Sequence, residues 1–398
     1  MSKAESNAID LKNNNNLLKI GQLQNDLIRA QNTAFKVDVT SEVLFAPFFD
    51  SNGHPIDITA TPSPNAYGYD VGVTNGGLYS AQLNVTKNLF NSAITNNLLF
   101  QNQIKNDALG LSSETILHNV HKNVIDAYIN AYQLQQQIEF IKTIQTDLNK
   151  RLEVVELLVK RGILLESDYL LLKLDIESKN LELQQARTNF DAAVAQLYNL
   201  GGLPIEAVTQ LAAPELTLQV NAPQRYYEKT FANDSLQILA DQNVFENLYR
   251  PQVSLYGNTG LNAVELNNID HKFGLSAGLK LTIPIYDGSQ KKFNALQSEV
   301  KQESLGATRE NAKIQLENNL KSVQKQIESL QISQQLISKQ LEQQQNILDI
   351  YKGKLVQGQV SIIDYLNVVQ NYKMNVFAQL QMQTNLLLLY NQYNFTNW

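Results

Sequence analysis

The chain has 398 residues, no cysteine and a formal net charge of -6 at pH 7. Without cysteine, zinc–thiolate sites, disulfides and a lipidated N-terminal cysteine are excluded for the chain as given. The negative charge, with no basic run and no basic residues interleaved with aromatics, argues against nucleic-acid binding. No run reaches the roughly 18 apolar residues of a membrane-spanning helix, and the N-terminal residues lack the apolar core of a secretory signal. If the protein is exported, we expect its signal to be missing from this sequence.

The first half of the chain predicts a helix followed by two strands. Residues 8–34 form a polar helical pattern, whose modest apolar stripe consists of Leu17, Leu18, Leu23, Leu27 and Ile28. Apolar and polar residues alternate at about 35–48 and again at about 78–88, which is typical of half-buried strands. A segment rich in glycine, proline and asparagine at about 50–77 predicts the loop between them.

A long helical hairpin follows the second strand. The helical pattern that starts after residue 91 continues for about 70 residues, on the order of 100 Å of helix. Its apolar residues alternate steps of three and four, and this heptad period predicts left-handed coiled-coil packing. The seam consists of Leu117, Val120, Val124, Ala127, Ala131, Leu134, Ile138, Ile141, Leu148, Leu152, Val155 and Val159. A returning helix is predicted at 167–200, before a connector at 201–222.

The second half repeats this order. A helix is predicted at 226–248, strands at about 251–262 and 272–284, and a second long helix from about residue 289. The seam of that helix consists of Leu316, Leu320, Val323, Ile327, Leu330, Ile337, Leu341, Leu348, Tyr351 and Leu355. Each of these lies 196 positions after a seam position of the first half, with Gln145 opposite Leu341. The shared register predicts a duplicated chain, with structural repeats at 1–200 and 223–398.

Two matching segments mark the ends of the helical hairpins. Gly162 corresponds to Gly358, and the acids Asp168 and Asp364 follow six residues later in each half. A glycine just past a helix end can adopt the left-handed conformation of a C-cap. Ser361 with Asp364 has the pattern of a capping box that opens the next helix. Both segments therefore predict a tight tip between two antiparallel helices.

The four predicted strands leave two architectures open. A closed barrel needs about eight strands, so one chain cannot close a barrel alone. The strands either form a small soluble sheet that packs on a helix, or join strands of identical chains in a membrane barrel. Their predicted length of about 10–13 residues is enough to cross a membrane when tilted and favours the barrel. Its lipid-facing side chains would include Tyr79, Leu83, Val85, Phe273, Leu275, Leu279 and Leu281.

The whole chain resembles the TolC-like outer-membrane efflux and secretion channels. The resemblance is carried by the duplicated helix–strand–strand–helix plan, the strand-to-helix passage from Phe273 to Ser289, the segment Arg250–Leu255 and the two tip patterns. It implies a fold that is mainly α with a membrane β-barrel. Three chains would contribute four strands each to a twelve-stranded barrel, continued by a long coiled-coil α-barrel. The long loop between the first two strands departs from the family and leaves the extracellular face undetermined.

The resemblance also implies a function. It predicts a passive exit duct of a tripartite efflux or type I secretion system, in the outer membrane of a Gram-negative bacterium with a periplasmic helical tunnel. Its partners would be two further copies of the chain, outer-membrane lipid, a periplasmic adaptor and an inner-membrane pump. The adaptor-docking residues would be Gly162, Ile163, Leu164, Gly358, Gln359 and Val360.

The resemblance implies a pore constriction at the tips, formed by Asp364, Asn367 and Asp168. Asn367 stands where the family often has a second acid, so the predicted acidic ring is thinner here. A threefold ring of carboxylates would attract cations. The alternative for both aspartates is a plain helix cap, because an acid in the first turn interacts favourably with the helix dipole.

The sequence offers little for catalysis. His118 and His121 stand three residues apart beside Glu114, a spacing that one helix face can offer to a metal ion. Two histidines on a polar helix are more often solvated side chains, so we expect no metal site and no cofactor. No Ser/His/Asp group, phosphate-binding glycine loop or Cys/His cluster is apparent, and we expect no enzymatic activity. The alternative to a channel is a soluble coiled-coil scaffold with a small β-sheet.

Overall fold

The computed structural model describes residues 1–45, 48–56, 78–206, 208, 210–219, 226–264, 266 and 269–398. Most of the predicted loop at 50–77 and several residues of the connector at 201–222 lie outside this part of the chain. The helices are α1 (Ser2–Asn7), α2 (Ile9–Thr33), α3 (Ser92–Lys160), α4 (Glu166–Leu200), α5 (Tyr226–Glu246), α6 (Gln290–Val356) and α7 (Ile362–Thr396). The strands are β1 (Lys36–Leu44), β2 (Phe48–Phe49), β3 (Pro55–Ile56), β4 (Leu78–Leu89), β5 (Gln252–Ala263) and β6 (Phe273–Thr282).

The four long strands form one antiparallel sheet in the order β1-β4-β5-β6. Because this order leaves β1 and β6 with one strand neighbour each, both are edge strands. The first strand is shorter than predicted, since it ends at Leu44, while Ala46 and Pro47 lie outside the described residues. The next residues, β2 and β3, pair in a separate small sheet. Its turn is closed by the carboxylate of Asp50, which accepts the backbone N–H groups of Asn52 and His54, each at 2.8 Å.

The apolar positions of the heptad seams on the two long helices α3 and α6 are all buried or half-buried. Fully or nearly fully buried seam residues are Ala127, Ala131, Ile138, Ile141, Leu148 and Val155 on α3, and Ile327, Ile337, Leu341, Leu348 and Leu355 on α6. Burying one of the valine, leucine or isoleucine side chains among them contributes roughly 1.5–3 kcal/mol to folding. The prediction of long helices packed along a 3.5-residue seam, joined to a small antiparallel sheet, is confirmed.

Helix α2 packs only in part through the predicted stripe, of which Ile28 is buried and Leu18 half-buried. Leu17, Leu23 and Leu27 of the predicted stripe are exposed. Gly21 is buried instead, and a Cβ at this position would overlap the side-chain amide of Asn106 on α3. The amide of Asn102 donates to the carbonyl of Gly21 at 2.7 Å. The helices approach closely because glycine has no side chain and the asparagine amides satisfy each other and the backbone.

The chain divides into two compact units. The hairpin unit comprises Met1–Asn16, Gly110–Thr230 and Ala307–Trp398, and it contains α4, α7 and both helix–helix tips. The sheet unit comprises Leu17–Leu109 and Phe231–Gly306, and it contains the four-stranded sheet. Among the described residues, no helix combines the length and the apolar character that a membrane-spanning helix needs.

Candidate functional site

The first hairpin tip joins α3 to α4 through a left-handed glycine. Gly162 has φ +71°, which side-chain-bearing residues rarely adopt. Its N–H donates to the carbonyl of Val159 at 2.9 Å, and the N–H of Ile163 donates to the carbonyl of Leu158 at 2.9 Å. This pair of bonds is the Schellman motif, which satisfies the last carbonyls of α3.

The second tip, between α6 and α7, has the same geometry. Gly358 has φ +69°. Its N–H donates to the carbonyl of Leu355 at 3.0 Å, and the N–H of Gln359 donates to the carbonyl of Lys354 at 2.9 Å. The two tips predicted from the glycine spacing therefore share one backbone design.

The surroundings of the two tip glycines differ. A Cβ added to Gly162 would meet no atom within 4 Å. A Cβ added to Gly358 would lie 2.7 Å from Cγ2 of Ile163, which is closer than van der Waals contact allows. The second glycine therefore packs against the first tip, while the first glycine faces open space.

A shared hydrophobic cluster lies behind both tips. It joins side chains of all four hairpin helices: Ile144, Leu148, Val155, Leu172, Ile176, Leu348, Leu355, Ile362, Tyr365 and Val369. Leu164 and Val360 of the predicted docking residues are partly buried and pack against it. Ile163 and Gln359 are exposed. The tips thus present an outer rim to solvent and an inner side to the core of the hairpin unit.

The predicted constriction acids cap their helices in two ways. The carboxylate of Asp168 accepts the backbone N–H of Leu165 at 3.0 Å. The carboxylate of Asp364 accepts the hydroxyl hydrogen of Ser361 at 2.7 Å, while the hydroxyl oxygen accepts the N–H of Asp364 at 3.1 Å. Ser361 therefore caps α7 as predicted, although its own N–H is not the group that Asp364 binds. Asp364 and Asn367 are exposed and lie three residues apart on one face of α7.

A polar contact that the sequence did not reveal connects α3, α6 and α7 behind the tips. Tyr365 is fully buried, and its hydroxyl donates to the carboxylate of Asp147 at 2.9 Å. The same carboxylate pairs with Arg151 at 3.5 Å and with Lys352 at 3.5 Å. One acid of α3 thus contacts two cations and one phenol.

A second such contact lies between α4 and α7. Lys373 and Lys179 are both buried. Lys373 donates to both carboxylate oxygens of Glu182, at 2.8 and 2.9 Å. Lys179 lies 3.4 Å from Glu182 and 3.4 Å from Asp175. Burial works to raise the pKa of Glu182, but the hydrogen bonds and charges of the two lysines outweigh it and hold this pKa below its usual value.

The apolar face of the sheet is not covered by the chain's own described residues. Cross-strand pairing puts Leu83, Thr259 and Leu275 in one row on this face. Leu275 is 79% exposed. The other predicted lipid-facing residues are exposed as well (Leu83, Phe273, Leu279 and Leu281) or half-buried (Tyr79 and Val85). Exposed apolar patches of this kind normally mark an interface. In a soluble protein, this face of the sheet would be buried on a helix.

The opposite face of the sheet is polar and internally hydrogen-bonded. The amide of Asn84 donates to the carboxylate of Asp38 at 3.1 Å and to the hydroxyl of Thr40 at 2.9 Å. The hydroxyl of Ser276 donates to the side-chain oxygen of Asn258 at 2.8 Å. These cross-strand bonds suit a face that meets water rather than lipid.

The two histidines do not form a metal site. His118 stacks on Phe395 and Trp398, with ring centroids 4.6 and 3.9 Å away. The expectation of a solvated side chain is therefore wrong for His118. Burial lowers the pKa of His118. His121 lies 2.6 Å from Glu5 instead. Among the described residues, no group of three or more His, Cys, Asp or Glu side chains is arranged to hold a metal ion.

The hairpin unit also has an open groove of about 850 Å³. Its lining is mostly amides, hydroxyls and leucines, and Asp126 is the carboxylate among them. Asp126 lies 2.7 Å from Lys122, and it accepts the amide of Asn391 at 2.8 Å. An acid engaged in this way is a structural partner of its neighbours rather than a free general base.

Comparison with known proteins gives matches only at the level of structure. No protein-family model matches the sequence, and no curated protein matches it. The outer membrane protein VceC of Vibrio cholerae is similar with a TM-score of 0.72 at 15% identity, over 100% of this chain and 94% of that chain. The open-state MtrE outer membrane channel of Neisseria gonorrhoeae is similar with a TM-score of 0.71 at 14% identity, over 100% and 87% of the two chains. The CmeC outer membrane channel of Campylobacter jejuni is similar with a TM-score of 0.68 at 15% identity, over 98% and 83%. At these identities the likeness concerns the fold.

Proposed function

We propose that this chain, which has the fold of the TolC-like outer-membrane channels, is one of three identical subunits of such a channel. The two structural repeats at 1–200 and 223–398, joined by the connector at 201–222, each supply two strands and one helical hairpin. The channel would cross the outer membrane of a Gram-negative bacterium as a twelve-stranded barrel. Its helices would continue the passage through the periplasm.

The observation that carries this proposal is the open sheet with an uncovered apolar face. Its edge strands β1 and β6 would expose unpaired backbone groups, which proteins normally cover. Because the sheet is antiparallel and has an even number of strands, β6 of one copy can pair antiparallel with β1 of the next. Three copies then give twelve strands, within the range of outer-membrane barrels. The apolar face would contact lipid and the polar face would line a water-filled lumen.

The hairpin tips would be the periplasmic end of the duct. We infer that Gly162, Ile163, Leu164, Gly358, Gln359 and Val360 form the surface that docks a periplasmic adaptor. The exposed position of Ile163 and Gln359 supports this assignment. An inner-membrane pump would couple energy to transport, and the duct itself would be passive. The duct would belong to a tripartite efflux or type I secretion system.

The exposed face of α7 that carries Asp364 and Asn367 would line the constriction of the duct, and Asp168 of the first tip would contribute beside it. The engagement of both aspartates in helix capping is compatible with this role, because a carboxylate that accepts one hydrogen bond keeps its charge and its remaining lone pairs. Three copies of Asp364 would give a ring that favours cations.

The alternative, a soluble coiled-coil scaffold, requires the apolar face of the sheet to be buried. The exposure of Leu275 and Leu279 in the single chain counts against it. A soluble oligomer that buries these side chains between copies would also remove them from water. The decisive question is therefore what touches this face in the assembled protein.

The absence of cysteine from the chain permits a direct experiment. Leu275→Cys and Ser276→Cys introduce single thiols at neighbouring positions on opposite faces of β6. In protein reconstituted into liposomes, we expect a membrane-confined hydrophobic maleimide to label Leu275→Cys. A charged, water-soluble thiol reagent should label Ser276→Cys instead. The wild-type protein, which has no thiol, controls for background labelling.

The same preparation tests the assembly. We expect heat-modifiable trimers on gels, dependence on detergent or lipid for solubility, and stepwise conductance in planar bilayers. A monodisperse protein in detergent-free buffer, with Leu275→Cys shielded from the lipid-phase reagent, would refute the channel and favour the scaffold.

A further inference from the structure

One charged residue stands on the otherwise uncharged apolar face of the sheet. Side chains of this face come from alternate residues of the four strands, as cross-strand pairing defines them. Of the strand residues that the structure describes on this face, Lys87 alone carries a charge. A lysine on a lipid-facing surface is unfavourable at the middle of the bilayer and nearly neutral at its interface. Its position is therefore informative.

Lys87 lies near the end of the sheet that leads into the helices. β4 ends at Leu89, and α3 begins at Ser92. Lys36 pairs with Thr86, so Phe35 and Lys87 come next along their strands on the same side. The ammonium nitrogen of Lys87 lies 4.4 Å from the centroid of the Phe35 ring, within the range of a cation–π contact. This contact holds the charge over the sheet at its helix-side border.

A small apolar pocket adjoins this charge on the side that points away from the helices. It measures about 180 Å³, and Lys87, Phe35, Val85, Leu255, Gly257 and Ala277 are among its lining residues. The pocket exists because Val85, Gly257 and Ala277 stand in one cross-strand row, and two of these three residues have little or no side chain. Small-molecule sites typically measure about 300–1,000 Å³, so this pocket suits a short stretch of hydrocarbon chain rather than a whole ligand.

We propose that Lys87 and this pocket form a binding site for a phospholipid with a negatively charged headgroup. The ammonium of Lys87 pairs with the headgroup phosphate, and a segment of one acyl chain fills the depression over Gly257 and Ala277. This inference rests on the proposed function, since it takes the apolar face to be in contact with lipid.

The arrangement of the two features specifies the kind of ligand. Lys87 is nearer the helices and the pocket is nearer the middle of the strands, so charge and apolar space follow the order of headgroup and tail in a bilayer. Lys87 lies on β4, which is an inner strand of the sheet, so pairing of the edge strands with neighbouring copies leaves the site open to lipid. One basic residue near a membrane surface favours an anionic over a zwitterionic lipid by about fivefold.

The chain provides matched variants for the test. Lys87→Gln removes the charge, and Lys87→Arg keeps it. Gly257→Leu fills the pocket; a Cβ there would make only ordinary contacts of 3.6 and 3.9 Å, so the fold should accept it. Lys87 pairs with Leu255, and Leu255 pairs with Leu279. Lys280 follows Leu279 in β6, so it lies on the opposite face of the sheet from Lys87. Lys280→Gln is therefore the control for loss of a lysine at the same height of the sheet.

The full-length trimer is incubated in detergent with equal amounts of dioleoyl phosphatidylglycerol and dioleoyl phosphatidylcholine. It is then separated from free lipid, and the retained lipids are quantified by mass spectrometry. We expect about a fivefold excess of phosphatidylglycerol for wild type, Lys87→Arg and Lys280→Gln. The ratio should fall to about one for Lys87→Gln and Gly257→Leu. Inorganic phosphate added at the same step should leave the wild-type ratio unchanged.

The outcomes separate this site from the function on which it rests. Equal ratios for wild type and Lys87→Gln, with lipid retained by both, overturn the site and leave the channel intact. Loss of the preference on adding inorganic phosphate, with no effect of Gly257→Leu, identifies a phosphate site without an acyl subsite and also overturns the proposal. A wild-type protein that retains no phospholipid and needs no detergent refutes the channel itself. If Lys87→Gln does not assemble, the lipid ratio of Gly257→Leu compared with that of wild type tests the site instead.

Discussion

Tyr365 of α7 donates its phenolic hydrogen to the carboxylate of Asp147 on α3 at 2.9 Å, although 218 residues separate them in the chain. Burial raises the pKa of Tyr365, and the negative charge of Asp147 raises it further. The phenol therefore stays protonated and keeps donating throughout the physiological pH range. This bond ties the helix that enters the first tip to the helix that leaves the second.

The first prediction concerns this bond. Tyr365→Phe keeps the ring in the core but removes the donor, and a hydrogen bond to a charged group contributes about 1.5–3 kcal/mol. We expect the free energy of unfolding of the hairpin unit to fall by about 1–2 kcal/mol, because Asp147 keeps its cationic partners. The measurement is thermal unfolding of the detergent-solubilised protein by circular dichroism. Tyr169, the matching tyrosine of the first tip, is half-buried, and Tyr169→Phe should change stability by less than about 0.5 kcal/mol. An equal loss of stability in Tyr365→Phe and Tyr169→Phe would contradict a stabilising hydrogen bond from Tyr365 to Asp147.

The second prediction concerns Glu182. Its pKa is held below the usual value in the folded protein, so the stabilisation that it provides is present above the unfolded-state pKa. That stabilisation is lost as the pH falls through the folded-state pKa. We expect the melting temperature of wild type to drop on acidification below about pH 4.5, and Glu182→Gln to remove that part of the drop.

At neutral pH, Glu182→Gln leaves two buried lysines short of a carboxylate. Breaking a buried ion pair costs about 3–5 kcal/mol. The side chain of Glu182 is 33% exposed, however, and solvent screening reduces the expected loss to about 2 kcal/mol. Glu177→Gln, an exposed acid of the same helix, is the control and should have little effect. A pH profile of Glu182→Gln parallel to that of wild type would disprove this account.

The third prediction uses the unequal surroundings of the tip glycines. Both have positive φ, so replacing either by alanine should cost about 1 kcal/mol from backbone strain. Gly358→Ala should cost about 1–2 kcal/mol more than Gly162→Ala, because its Cβ meets Cγ2 of Ile163. The measurement is the melting temperature of the two variants compared side by side.

A double variant isolates the steric contribution. Ile163→Ala removes the Cγ2 atom, so Gly358→Ala combined with Ile163→Ala should be less destabilised than the sum of the single changes. In cells, a bulky substitution at Gly358 should abolish export while trimers still assemble, since the tip is the proposed docking surface. Strict additivity would argue against the contact, and normal export would argue against docking at this tip.

The fourth prediction concerns the proposed constriction. Asp364→Asn removes one charge per subunit but leaves an acceptor for the hydroxyl of Ser361, so the cap of α7 should survive. We expect weaker cation selectivity and weaker block by divalent cations in planar bilayers. Asn367→Asp, one turn further on the same exposed face, should change both in the opposite direction.

Glu310→Gln serves as its control, since Glu310 is an exposed acid of α6 far along the chain from the tips. It should leave the reversal potential unchanged. A reversal potential of Asp364→Asn equal to that of wild type would leave Asp364 as a helix cap only.

Local patterns explain why much of the fold is predictable from the sequence. The strands follow from strict alternation, because a period of two fixes which side chains share a face. The tips follow from the two glycines and the acids six residues later. The long helices follow from a heptad seam, whose apolar positions are buried or half-buried in the structure. Each of these signals depends on neighbours within a few residues of sequence.

The features that escape sequence reasoning depend on partners that are distant in the chain. Besides the predicted Ile28, the buried face of α2 uses Gly21 and asparagines, which a stripe of apolar residues does not indicate. Lys373 is buried because it pairs with Glu182, which lies 191 positions away in the chain. The sequence predicts a solvated His118, but in the structure Phe395 and Trp398 cover its ring. In each case a polar residue is buried or half-buried because a specific partner compensates the loss of water.

The contact between Gly358 and Ile163 has a bearing on the history of the chain. An ancestral gene that was copied in tandem would begin with two interchangeable hairpins. In this chain Gly358 packs on Ile163 while Gly162 faces open space, so the two tips have different neighbours. Exchanging the two hairpins would put Gln359, the counterpart of Ile163, beside the glycine of the other tip, so the two tips are complementary parts rather than interchangeable copies.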